Sequence, residues 1–129
     1  IAVDGSGYSE QAMRIVAALP WVGATRITLL GVDEGDGRAS AAVDSAAALM
    51  ESHALAVDRR VIPHDEKALT VNVRHEIDTF LADNRCDLVV VGTKGLTGGK
   101  RLRLGSVADY LAHHVQCSIL IVRDTYPTR

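Results

Sequence analysis

Short runs of branched apolar residues alternate along the chain with longer stretches in which apolar side chains recur at helical spacing. Ile1 to Asp4, Ile27 to Val32, Leu88 to Val91 and Ser118 to Val122 are of the first kind. Arg60-Val61-Ile62 is a weaker, more polar version closed by Pro63. An unbroken run such as Leu88-Val89-Val90-Val91 suits a strand buried on both faces of a parallel sheet. Between the runs, Ala12, Ile15, Val16 and Leu19 mark a first helix, with Ser9 as its N-cap and Pro20 as its stop. Val43, Ala46, Ala47, Met50 and Ala54 mark a second, from about Ala41 to Val57. Val73, Ile77, Phe80 and Leu81 give a third that closes near Asn84, and Val107, Ala108, Leu111 and Val115 give a fourth from Ser106. The alternation predicts one α/β domain over residues 1–129. Its expected core is a Rossmann-like, doubly wound five-stranded parallel sheet of order 3-2-1-4-5 with helices on both faces. Ligands of such sheets sit beyond the carboxyl ends of the strands where the order reverses, here between the first and fourth strands.

Composition narrows the classes of partner. Hydrophobic residues are 47% and charged residues 23%, and the formal net charge is -2, so no general polyanion binder is expected. Aromatics are only 4%, too few for a platform that stacks bare nucleic acid. No apolar run approaches the ~20 residues of a membrane span, and no secretory leader pattern is visible. Two cysteines without a CxxC pairing fit a reduced compartment, so a cytoplasmic location is expected.

Within this mildly acidic chain lies a basic island. Gly92 to Ser106 reads GTKGLTGGKRLRLGS, carries Lys94, Lys100, Arg101 and Arg103, and has no acidic residue within it. It joins the end of one predicted strand to the start of a predicted helix. Glycine-freed amides, a helix N-terminus and four cations together describe an anion site, and phosphate is the expected anion. A Walker A loop is excluded, because Lys94 stands where its first glycine belongs and Arg101 replaces its Ser or Thr. The Gly5-Ser6-Gly7 turn lacks the third small residue of a dinucleotide fingerprint, since position 10 is Glu10, although Asp33 sits where a ribose-binding acid would.

The spacing Gly92, two residues, Gly95, nine residues, Gly105, Ser106 resembles the nucleotide-binding signature of the universal stress protein family, in its ATP-binding branch. LGSVADYLAHHVQCSILIVR is similar to that family's fourth helix and last strand. The resemblance implies a nucleotide site built from Asp4 facing the adenosine, the Val32 backbone at adenine, and Val91 and Gly92 along the ribose. Gly95, Gly105, Ser106 and Val107 would cradle the phosphates. It implies ATP as the ligand, with ADP and AMP as alternatives and Mg2+ as the companion of the phosphates. It also implies a stress-response or regulatory role without catalysis. Weak ATP hydrolysis or phosphotransfer at the same site, and a nucleotide-free dimerisation scaffold, are the alternatives. The chain departs from the family in having Ser118 where a proline is usual, a short link from Asp33 to Ala41, and an unusually polar third strand.

The remaining candidates are plainer. No nucleophile, base and orienting group fall together in the predicted topology, so no catalytic residue is expected. The five histidines show no metal-ligand spacing, and His113-His114 fits a helix C-terminus, where imidazole complements the dipole. Cys86 and Cys117 each stand two residues before a strand, which would place two free thiols side by side, bridgeable by oxidant. Ile119, Leu120, Ile121 and Val122 form an uncharged last strand, expected at a sheet edge and open to antiparallel pairing in a homodimer. The expected partners are therefore an adenine nucleotide and a second copy of the chain, with no nucleic acid and no membrane.

Overall fold

The computed structural model describes residues 1–21, 23–70, 72–93 and 104–123. Helices and strands alternate as α1 (Gly7–Ala18), β1 (Ile27–Val32), α2 (Arg38–Ser52), β2 (Val57–Ile62), α3 (Val73–Asp83), β3 (Leu88–Gly92), α4 (Ser106–His114) and β4 (Ser118–Val122). The strands form two parallel pairs, β1 with β2 and β3 with β4. The first residues run between the pairs. Ala2 N–H donates to Val90 O at 3.0 Å and Val3 N–H to Leu30 O at 2.9 Å, so successive amides reach opposite neighbours. A single parallel bridge, Ala2 to Leu30, forms there in place of the full first strand expected from Ile1 to Asp4.

Alternating side chains of the strands feed two apolar clusters. Leu29 and Val90 join Met13, Val16, Val43 and Met50 from α1 and α2 on one side. Leu30, Val89 and Val91 join Ile77, Leu81 and Leu111 from α3 and α4 on the other. The period of two along the strands thus gives each face its own helical cover, which is the α/β, Rossmann-like arrangement. Backbone approach is tight at Gly31. A Cβ there would lie 2.9 Å from Val43 Cγ2 and 3.2 Å from Ala39 O.

Several boundaries differ from those the sequence predicts. The N-cap of α1 is Ser6, whose Oγ accepts from Ser9 N–H at 3.2 Å, while Ser9 Oγ donates back to Ser6 O. The two serines close one turn between them, and the earlier one caps it. Helix α2 ends at Ser52, five residues before Val57, because Ala54 turns into the left-handed region at φ 59 and Leu55 N–H donates to Met50 O. Strand β2 begins at Val57, earlier than Arg60, because its polar residues are paired by β1 and tied by charge. Arg59 donates to Asp44 and Glu51 of α2, both at 3.1 Å. The hydrogen bonds to Glu51 and Asp44 raise the Arg59 pKa further.

The two outer strands differ in how they are guarded. Among the described residues β2 pairs only with β1 and carries exposed Arg59 and Arg60, charges that blunt an edge. Among the described residues β4 pairs only with β3, and its Ile119, Leu120 and Ile121 are half-buried, with no charge between Ser118 and Val122.

Candidate functional site

The carboxyl ends of the strands meet the start of α4 through short backbone links. Thr93 follows β3 directly and is buried; its N–H donates to Val122 O at 3.0 Å, and its own carbonyl accepts from Gly105 N–H at 2.6 Å. The end of β3, the end of β4 and the first residue before α4 are therefore lashed together. Gly105 is the N-cap at φ -70, ψ 163, an extended conformation open to any residue, and it provides no side-chain cap. Ser106 is exposed, Val107 half-buried and Gly105 buried.

This helix start differs from the other three. Ser6 caps α1 and Asn72 caps α3, the latter accepting from His75 N–H at 3.3 Å. At α2 the N-cap is Gly37, but Asp36 Oδ1 accepts from Arg38 N–H at 3.1 Å. At α4 no side chain among the described residues accepts from the first turn. Its first intrahelical bond runs from Asp109 N–H to Gly105 O, so the amides of Ser106, Val107 and Ala108 precede the ladder and have no carbonyl partner among the described residues. Three N–H groups at the positive end of a helix dipole, with no side-chain acceptor among the described residues, form a cradle for an anion. The Gly105 amide does not belong to that cradle, because it is spent on Thr93.

The other residues singled out by sequence assemble around this point unevenly. Asp4, Val32, Val91 and Gly92 stand at the same strand ends, brought together by the Val3–Leu30 and Ala2–Val90 bonds. Val32 is half-buried at the end of β1, Val91 is buried, and Asp4 is half-buried. Asp4 Oδ1 accepts from Ser6 N–H at 2.9 Å, which holds the Gly5 turn, where φ is +83. Gly92 has a packing reason for its missing side chain. A Cβ there would come within 2.7 Å of Tyr8 Cβ and 2.8 Å of the Tyr8 backbone, in the first turn of α1. Asp33 turns onto its own loop, accepting from Gly35 N–H at 2.8 Å, rather than standing clear as a ribose ligand. Gly95, Lys94, Lys100, Arg101 and Arg103 lie outside the described residues.

A groove of about 640 Å³ opens between α1 and α2, lined in part by Asp4, Ser6, Glu10, Met13, Arg38 and Leu49. Sequence reading missed Ser6, Arg38 and Thr93 here. Arg38 follows the Asp33–Gly37 polar loop directly and was the one legible signal of the three. No group of three or more His, Cys, Asp or Glu among the described residues is placed to hold a metal ion, and none of the described helices is long and apolar enough to cross a membrane.

Comparison with known proteins bears on the family and the fold. The model of the Universal stress protein family matches residues 1–123. Universal stress protein Sll1388 of Synechocystis is 60% identical over 37 residues, which are 29% of this chain and 24% of that protein. The matching stretch thus spans about a quarter of that relative's own length. The solved structure of hypothetical protein MJ0577 superposes with a TM-score of 0.79 at 20% identity, covering 98% of this chain and 94% of that one. A crystal structure of a universal stress protein in complex with cAMP superposes with a TM-score of 0.69 at 20% identity, covering 97% and 94%. At that identity the two structures establish the shared fold.

Proposed function

The chain belongs to the universal stress protein family, and on that premise we propose that it binds an adenine nucleotide, ATP first, as a regulatory module without catalysis. The observation that carries this reading is the first turn of α4, whose three leading amides have no side-chain cap among the described residues and which is tied beside the ends of β3 and β4. The cAMP complex of a neighbour with the same fold supports adenine nucleotide as the class. In this reading Ile1–Asp4 acts as the central strand of a 3-2-1-4-5 sheet. Asp4 and the Val32 backbone hold the nucleoside, with Val91 and Gly92 along the ribose. The amides of Ser106, Val107 and Ala108, the Ser106 hydroxyl and the Gly95 loop hold the phosphates. Mg2+ would accompany the phosphates rather than sit on a protein cage. Mass spectrometry of acid-released small molecules from the freshly purified protein tests the reading. Stoichiometric adenine nucleotide supports it, and a protein that neither carries nor takes up adenine nucleotide refutes it.

Two substitutions separate the halves of the site. Ser106→Ala removes one hydroxyl donor that water replaces in part, for a loss of about 1 kcal/mol in ATP binding, or roughly fivefold. Adenosine binding is unchanged. Asp4→Asn keeps an oxygen for the Ser6 amide but loses the charge, and weakens adenosine and ATP by the same factor. Titration calorimetry with both ligands reads the two patterns.

The unguarded β4 edge supports a two-fold dimer in which Ile119, Leu120, Ile121 and Val122 pair antiparallel with the same strand of a second copy. Nucleotide occupancy would then bias the dimer surface. Light scattering at micromolar concentration is expected to give a dimer for the natural chain and a monomer for Ile121→Lys. A monomer in both cases contradicts the pairing.

A further inference from the structure

At the other end of β3, a strand's length of roughly 13 Å from the proposed nucleotide site, the structure brings two cysteines to the starts of neighbouring strands. Cys86 directly precedes Asp87, and Cys117 directly precedes Ser118. Ser118 N–H donates to Asp87 O at 3.2 Å, so each cysteine is the neighbour of one partner in the same hydrogen bond. The strands that follow are parallel and in register from Leu88 with Ser118.

Both positions are fixed by the helix ends before them. Arg85 takes the left-handed region at φ 49, and Cys86 N–H then donates to Leu81 O at 3.1 Å, closing α3. Val115 N–H donates to Leu111 O at 3.1 Å, closing α4 two residues before Cys117. Both thiols are free and half-buried, and both pack against the same apolar cluster, so they lie on one face of the β3–β4 pair. In the β3–β4 register Cys117 lies opposite Asp87 and Cys86 is one residue further back, so a strand spacing of about 4.8 Å and a rise of about 3.3 Å put the two Cα atoms roughly 6 Å apart, inside the separation that a disulfide spans. Burial pushes the Cys86 thiol pKa up, and Cys117 adds to the rise.

We propose that Cys86 and Cys117 are a redox modification site, a dithiol that closes to an intramolecular disulfide when it meets a hydroperoxide. One thiol gives up its proton, its thiolate attacks a peroxide oxygen, the O–O bond breaks, and a sulfenic acid and hydroxide result, the hydroxide taking up that proton to leave as the first water. The second thiolate attacks the sulfenic sulfur, forms the S–S bond and displaces hydroxide, which leaves as the second water on protonation. Two thiols and one hydrogen peroxide thus give one disulfide and two waters. The bridge ties the end of α3 to the end of α4 and encloses the whole segment between β3 and β4. It stands independently of the nucleotide reading. Because Cys86 holds its proton above the usual range, closure accelerates as pH rises through the range in which thiols ionise.

The test treats the full folded chain with one equivalent of hydrogen peroxide, then counts thiols after denaturation and measures the intact mass. The expected result is a fall from two titratable thiols to none. The mass drops by about 2 Da, the chain stays monomeric on a non-reducing denaturing gel, and dithiothreitol reverses the change. Phenylarsine oxide, which bridges neighbouring thiols, should take up both at one arsenic per chain, and Cys86→Ser should abolish this stoichiometry. Two thiols surviving oxidation, separate oxygen adducts on each cysteine, or a covalent dimer through Cys117 would each overturn the proposal.

Discussion

Gly92→Ala is expected to lower stability by about 2–3 kcal/mol, a fall of roughly 10 °C in the thermal midpoint of a domain this size. Intrinsic preference points the other way. Glycine inside a strand costs roughly 0.5–1 kcal/mol relative to alanine, so an unconstrained site would gain from the change. The site is constrained because a Cβ at position 92 meets Tyr8 Cβ at 2.7 Å and the Tyr8 carbonyl carbon and oxygen at 2.8 Å. A flexible side-chain tip could swing aside, but two of these three atoms are backbone in the first turn of α1. Relief requires moving the helix start, and that start is held by the Ser6 cap and the Asp4–Ser6 bond. Thermal and denaturant unfolding of the variant beside the natural chain measures the effect. Equal or greater stability in Gly92→Ala would show that α1 yields readily, and glycine at this position would then need another explanation.

The same glycine shows where sequence reading reaches and where it stops. Strands and helices were legible because branched apolar runs and helical spacing are local patterns, and both apolar clusters follow from them. The start of α4 at Ser106 was legible because Gly105-Ser106 sits between a strand and an apolar helical face. Ends were harder. Helix α2 stops through Ala54 in a left-handed conformation, where glycine or asparagine would have given a signal. Strand β2 looked too polar to begin at Val57, because the pairing of Arg59 with Asp44 and Glu51 is a tertiary fact. The role of Gly92 in admitting α1, and the use of the Gly105 amide by Thr93, depend on contacts between segments distant in sequence. No local pattern encodes them.

The largest expected effect on binding is that of Gly105→Asp, a loss of ATP affinity on the order of 100-fold without loss of fold. An N-cap side chain bends over the amides of the second and third helical residues, which here are Val107 and Ala108. Aspartate at this position would accept from those amides itself and set a negative charge where the phosphates are proposed to lie. Each charged hydrogen bond so displaced is worth about 1.5–3 kcal/mol, enough for the stated loss. The backbone tolerates the change, since φ -70, ψ 163 suits any residue and aspartate is a favoured N-cap. Helix α4 should therefore be held at least as firmly as before, so that loss of binding cannot be blamed on unfolding. Adenosine, which has no phosphate, should bind the variant as it binds the natural chain.

Titration calorimetry of the natural chain and Gly105→Asp with ATP and with adenosine therefore tests the central claim most directly. The expected pattern is ATP bound more tightly than adenosine by the natural chain, and only adenosine bound by the variant. Equal ATP affinity in the two chains, or no heat from ATP with the natural chain, would contradict a phosphate cradle at the start of α4.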